Sequence, residues 1–190
     1  MRVHPWWPTT APCNRGNDDH RNLGRSPALA GVNPNQWRCQ LTDFTPPAGG
    51  IVATHFIVSD DIERSRHFYT EVLGGRLAFT SGDLTYVELA NIFIIINVGG
   101  GPTDDKPTVT LETPPDPDRV SSFLNLRVED VHARHAEWSA RGAEFLTPPK
   151  QHEFEIRCYI RDPDGYIIEV GQTTDPNGDW SPWLRSPSAS

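Results

Sequence analysis

From residue 51 the chain carries runs of β-branched and apolar residues cut by Gly, Pro, Asn and Asp. Ile51 to Ser59 reads as a buried strand, being mostly β-branched and apolar. Asp60 and Asp61 then supply a cap, and Ile62, Phe68, Tyr69, Val72 and Leu73 mark the buried stripe of a helix that Gly74 and Gly75 stop. Arg76 to Thr80, Leu84 to Leu89 and Ile92 to Val98 are three further strands, turned at Ser81-Gly82-Asp83 and at Ala90-Asn91. A Gly-, Pro- and Asp-rich linker, residues 101–118, follows. The pattern then starts again. Ser122 to Val128 is a strand, Glu129-Asp130 a cap, and Val131 to Arg141 a helix stopped by Gly142. Ala143 to Leu146, Phe154 to Ile160 and Tyr166 to Val170 complete it as strands.

The repetition is arithmetical. Asp61 and Asp130 stand 69 residues apart, as do Ile62 and Val131. Later in each unit the offset is expected to be 72, matching Leu84 with Ile156 and Asn97 with Glu169, with an insertion near Pro148-Pro149. The expected fold class is α+β: two tandem β-α-β-β-β units, residues 49–100 and 119–172, in one domain 49–172. Neither unit covers its own sheet, so the two pack together and form a cup with the helices outside.

The ends of the chain read differently. Residues 1–48 hold seven prolines and no sustained period, so they predict an irregular extension, with Trp6, Trp7 and Trp37 as its only docking groups. A start codon placed too early is the alternative origin of this segment. Residues 173–190 read as a tail. The net charge is −8, but residues 1–42 carry five Arg against Asp18 and Asp19, and the rest carries 12 basic and 23 acidic side chains. An acidic domain without a Lys/Arg cluster argues against a nucleic-acid partner. No apolar run reaches the ~18 residues of a membrane span, and no signal-peptide core is seen, so no membrane partner and a cytoplasmic location are expected. Three cysteines, Cys13, Cys39 and Cys158, lack metal-site spacing and predict reduced thiols.

One stretch has a shape of its own. Arg161-Asp162-Pro163-Asp164-Gly165-Tyr166-Ile167-Ile168-Glu169-Val170 is strand, tight turn and strand, with Pro163 presetting φ and Gly165 free to take φ > 0. This hairpin resembles the closing hairpin of the vicinal oxygen chelate superfamily, which holds glyoxalase I, extradiol dioxygenases, fosfomycin-resistance transferases and bleomycin-binding proteins. Thr54 to Tyr69, continuing to Leu73-Gly74-Gly75, is similar to the family's opening strand and helix. The resemblance runs from about Ile51 to Gln172 and implies a fold far more firmly than a reaction.

In the family's metal enzymes the Glu at the Glu169 position is a ligand, and ligands come from the first and last strand of each unit. The resemblance places first-strand ligands seven residues before the capping acid, at Thr54 and Phe123, and last-strand ligands at Asn97 and Glu169. His55 is one residue late, so alternation turns it to the opposite face beneath the first helix, unless a β-bulge turns it back. His152 is a conceivable substitute, and His67, His132 and His135 read as solvent-facing. The cup is then lined by Thr54, Phe56 and Val58 from one unit and Phe123, Asn125 and Arg127 from the other, with aromatic help from Tyr86 or Tyr159. An inward Arg127 needs an anion or Glu169 as partner.

The expected function is small-molecule binding in the cup without a complete metal site, with Thr54, Phe56, Asn97, Phe123, Asn125 and Arg127 as binding residues and Glu169 as the catalytic candidate. The alternative is a lyase or isomerase of glyoxalase I type that holds Zn, Ni, Mn or Fe on His55 and Glu169. A dioxygenase is disfavoured because two histidines and a carboxylate are not supplied. The resemblance also implies a homodimer.

Overall fold

The computed structural model describes residues 50–174; the extension, its tryptophans, Cys13, Cys39 and most of the tail lie outside the described residues. Strand β1 (Thr54–Val58) leads into helix α1 (Ile62–His67), which continues as a π-helical turn over Phe68–Val72. Asp61 is the N-cap, its carboxylate accepting from the Arg64 amide at 3.0 Å. The wider π turn, with Leu73 N donating to Phe68 O at 3.0 Å, buries Phe68, Tyr69 and Val72 together. Strands β2 (Arg76–Ser81), β3 (Leu84–Leu89) and β4 (Ile92–Asn97) complete a four-stranded sheet in the order β1-β4-β3-β2, β1 running parallel to β4.

The second unit repeats this. Strand β5 (Leu124–Arg127) leads into α2 (Val131–Ala140), capped by Asp130. Strands β6 (Glu144–Phe145), β7 (Lys150–Gln151), β8 (Glu155–Arg161) and β9 (Ile167–Thr173) follow. The sheet order is β5-β9-β8-β6, with β7 also paired to β8. Strand β7 is an addition to the expected set, its pairing carried by a hairpin that bulges at Thr147-Pro148-Pro149.

The faces sort by chemistry. Ile57, Val87, Ile94 and Ile96 from one sheet and Cys158, Ile160, Ile168 and Val170 from the other share a single core with Tyr69, Val72, Val131 and Trp138 of the helices. Two expectations shift at the surface. His135 is not free in solvent but packs its ring on Phe145, centroids 4.2 Å apart. Val58, placed in the cup by alternation, is buried.

The repeat register also needs correction. Phe56 pairs with Ile95, and Ile95 with Tyr86; in the second unit Asn125 pairs with Glu169, and Glu169 with Tyr159. Phe56 and Asn125 keep the offset of 69, so the counterpart of Glu169 is Ile95 and that of Leu84 is Arg157. Asn97 corresponds to Gly171 instead: Ser59 N donates to Asn97 O as Val128 N donates to Gly171 O. The cause is local. Ala90-Asn91 turns the first hairpin in two residues, whereas Asp162 N bonds Tyr166 O at 2.9 Å around three, Pro163-Asp164-Gly165. The extra turn residue moves every later position by one.

That longer turn joins the units. Asp164 has a fully buried side chain, and its carboxylate takes hydrogen bonds from Ser59 Oγ (3.2 Å), Asp60 N (3.2 Å), Arg64 Nη2 (2.7 Å) and Ser65 Oγ. Asp162 accepts from the amides of Asp164 (3.0 Å) and Tyr166 (2.8 Å) and from Tyr69 OH (2.8 Å). Tyr166 closes the contact, its phenolic oxygen accepting from Val58 N at 3.1 Å. Gly165, at φ +95°, permits the chain reversal that brings these groups together.

Burial pushes the Asp162 carboxyl up from 3.8 to about 6, against the pull of the Tyr69 hydroxyl and the amides. A carboxyl with a raised folded value stabilises while protonated: the contribution is complete below the unfolded value and is lost as pH rises through the folded one. Asp162→Asn keeps the acceptor for both amides and cannot ionise. Urea unfolding is therefore expected to show wild type losing up to about 3 kcal/mol relative to Asp162→Asn between about pH 4 and pH 7.5. A difference independent of pH would show that Asp162 is ionised throughout.

Candidate functional site

Alternation along β8 puts Glu155, Arg157, Tyr159 and Arg161 on the face opposite the core, and β9 adds Glu169 and Gly171 beside them. Strand β5 brings Asn125 next to Glu169 and Arg127 next to Gly171. The result is a polar wall. Glu169 is only 4% exposed, yet both its oxygens are engaged: Asn125 Nδ2 donates to Oε1 at 2.5 Å and Tyr159 OH to Oε2 at 2.7 Å. Burial, then the bond to Glu169, raises the Tyr159 hydroxyl, which keeps it a donor.

Arg127 was expected to pair with Glu169. It is placed 3.6 Å from Glu169 Oε1, but its short bond, 2.6 Å, runs from Nη1 to Glu155 Oε2. Arg157 takes the other Glu155 oxygen at 2.6 Å. Hydrogen bonding by Arg127 accordingly holds the Glu155 carboxyl below its ordinary range. The guanidinium of Arg127 occupies the space that a Cβ at position 171 would need, so Gly171 is what lets Arg127 lie flat across the sheet. Glu155 and Arg157 escaped the reading of the sequence, although Glu155-Ile156-Arg157-Cys158-Tyr159-Ile160-Arg161 alternates polar and apolar without a break.

The other half of the cup is apolar. Phe56, Tyr86, Phe93 and Ile95 share the matching face of the first sheet by strand register. Phe56 is 45% exposed, as is Phe123, which stands edge-on to Tyr159 with centroids 6.1 Å apart. Thr54 is exposed at the start of β1, and Asn97 turns its Oδ1 to the Gly99 amide at 3.0 Å. Asn97 is therefore not brought to Glu169. With the register corrected, the four ligand places of the resemblance hold Thr54, Ile95, Phe123 and Glu169, one metal-binding side chain in four. These residues do not fit a divalent metal.

His55 lies on the Ile57 and Ile94 face, opposite the one that corresponds to Glu169, and burial lowers its basicity. The alternative pair His55 and Glu169 is thus split between faces. His152 is exposed, and among the described residues no three His, Cys, Asp or Glu side chains group as a metal site. Cys158 is a buried free thiol pushed up to about 11 by desolvation. Between the sheets, where β1 faces the start of β9, lies a cavity of about 310 Å³ roofed by residues 112–115 and 119–123 and reached by His55, Phe56 and Tyr166.

Two β-α-β-β-β modules laid edge to edge, helices outside and a cup within, define a class of fold. The sequence model of the Glyoxalase/Bleomycin resistance protein/Dioxygenase superfamily matches residues 51–170, and the chain belongs to that superfamily. No curated protein matches the sequence. Solved structures do. A glyoxalase/bleomycin resistance protein/dioxygenase from Alicyclobacillus acidocaldarius is 14% identical with a TM-score of 0.54, over 66% of this chain and 92% of that one. A glyoxalase-related enzyme from Fulvimarina pelagi is 22% identical with a TM-score of 0.54, over 65% and 88%. The fosfomycin resistance protein FosX from Listeria monocytogenes is 14% identical with a TM-score of 0.50, over 66% and 95%. At such identities the likeness is one of fold. No helix among the described residues is long and apolar enough to cross a membrane.

The hydrogen bonds of Glu169 decide what its replacement does. In Glu169→Gln one amide hydrogen pair faces a donor, while Arg127 keeps Glu155. The expected loss is about 1–3 kcal/mol, the cost of a mismatched buried polar group, and not the larger cost of a stranded guanidinium. Adding Arg127→Met should restore none of it, because the arginine was never orphaned. Recovery of most of the loss in the double variant, by urea unfolding, would make Glu169 the true partner of Arg127.

Proposed function

We propose that this chain is a small-molecule-binding member of the superfamily that works without a catalytic metal. The observation that supports it is the state of Glu169. Each of its oxygens accepts from a protein donor, Asn125 or Tyr159, and the other three ligand places, Thr54, Ile95 and Phe123, supply no metal-binding side chain beside it. A network of protein donors stands where the family's metal enzymes put ligands. The glyoxalase-type lyase and the dioxygenase both need imidazoles beside that carboxylate, and Thr54 and Phe123 supply none.

Binding then follows from the two walls. Phe56, Phe93 and Ile95 offer apolar surface, while Asn125, Arg127, Tyr159 and Arg157 supply a few oriented polar groups, the usual make-up of a small-molecule site. Arg127 and Arg157 against Glu155 and Glu169 balance in charge, so the wall itself calls for no net ionic partner.

Elemental analysis of protein purified without added metal or chelator should find far less than one ion per chain. Addition of Ni, Zn, Mn or Fe should leave the melting temperature unmoved. Fragments that raise the melting temperature in chelator should lose that effect in Phe123→Ala. Stoichiometric metal that leaves with Glu169→Gln would instead establish the lyase reading. The same reading includes a homodimer, and light scattering at micromolar concentration that gave the mass of one chain would remove it.

A further inference from the structure

The cavity between the sheets contains groups with hydrogen-bonding or charge capacity left open among the described residues. His55 is half-buried, and its ring nitrogens have no hydrogen-bond partner among the described residues. Tyr166 OH accepts from Val58 N but has no acceptor for its own proton among those residues. Glu112 from the linker and Arg119 from the start of the second unit, both on the roof of the cavity, are exposed, and neither joins an ion pair among the described residues. Phe56 and Phe123 present nearly half of their surface. Elsewhere in the described chain the arginines within the units have carboxylate partners: Arg64, Arg66, Arg76, Arg127, Arg134, Arg141, Arg157 and Arg161 all do. Arg119 and Glu112 are therefore conspicuous: opposite charges on one roof, more than salt-bridge distance apart and facing a common space.

We infer that this cavity takes a small aromatic zwitterion, a compound with one ring, one carboxylate and one ammonium group, of which an aromatic amino acid is the simplest. The two phenylalanines offer faces and edges to the ring. Arg119 receives the carboxylate in its forked donor geometry, and Glu112 receives the ammonium. A ligand with only one charge would satisfy one and leave the other unmatched. His55, kept neutral by burial, and the Tyr166 hydroxyl are hydrogen-bond donors toward the same carboxylate or a ring substituent. The volume, near the lower end of the ~300–1,000 Å³ of small-molecule sites, sets the size at one or two rings. This inference rests on the small-molecule reading; it puts the ligand in the cavity that shares Phe56 with the apolar wall and names its class.

Saturation-transfer NMR and calorimetry on the full chain, with L-phenylalanine, phenylacetate, phenethylamine and L-alanine as probes, test it. L-phenylalanine is expected to bind at least about 10-fold more tightly than any of the other three, one lost charge pair being worth about that factor. Arg119→Gln and Glu112→Gln, both at exposed positions, should each reduce L-phenylalanine to the level of the matching single-charge probe. Phe123→Ala should weaken all ring-bearing probes alike. Equal binding of the three ring compounds, or binding untouched by Arg119→Gln, would overturn the zwitterion while leaving the small-molecule reading in place. Binding of none of the four, alongside fragments of other chemistry that depend on Phe123, would do the same. Failure of every fragment as well would end both.

Discussion

The structure depends on a turn. Asp162 and Asp164 carry two carboxylates from the second unit into the start of the first helix, where Ser59, Asp60, Arg64, Ser65 and Tyr69 receive them. A buried carboxylate without donors costs several kcal/mol, so this contact exists only when both partners are folded and docked. It therefore couples the two units, which also share an apolar core. The first unit has no equivalent: Leu89 and Ile92 flank its two-residue turn, and the reciprocal contact is a single 3.5 Å bond from Arg141 Nη1 to the Val72 carbonyl. A symmetrical architecture is thus held by an asymmetrical contact.

The same asymmetry marks the cup. Positions that correspond across the repeat have diverged in opposite directions: Phe56 faces Asn125, Ile95 faces Glu169, and Leu84 faces Arg157 in the alignment that the strand register imposes. One half has become apolar and the other charged. Two sheets that each kept two ligands would enclose an ion. Two sheets of this composition present one mainly apolar face and one hydrogen-bonded, charged face.

Most of the fold was legible and much of the site was not, for one physical reason. Capping acids, helix stops and turn residues act locally, so Asp61, Asp130, Gly74 and Gly142 announced themselves and the tandem units followed. Register acts through long-range pairing: one extra residue ahead of β8 and one in the turn between Asp162 and Tyr166 together moved the counterpart of Glu169 from Asn97 to Ile95. The alternation that turned His55 away from the cup was readable within one strand and agrees with its place beside Ile94. Arg127 lies within ion-pair distance of Glu169, as expected, and the second partner, Glu155, was not readable because the flat path over Gly171 that gives it the shorter bond depends on the fold. Likewise Pro163 and Gly165 declared a turn, while nothing local showed that Asp162 and Asp164 would serve another unit.

Glu169 shows how a carboxylate at this position is met by protein donors. A glutamate pointing into a cup needs something positive or donating, and an ion is only one way to supply that. Asn125 takes a position where the repeat has Phe56, and its amide reaches one oxygen; Tyr159, where the repeat has Tyr86, reaches the other. Two neutral donors satisfy this nearly buried carboxylate with no ion needed for its hydrogen bonding. The hairpin that marks the superfamily can thus be retained for hydrogen bonding alone. A glutamate in this motif is by itself no sign of a metal, and what decides is the pair of residues it meets across the sheet.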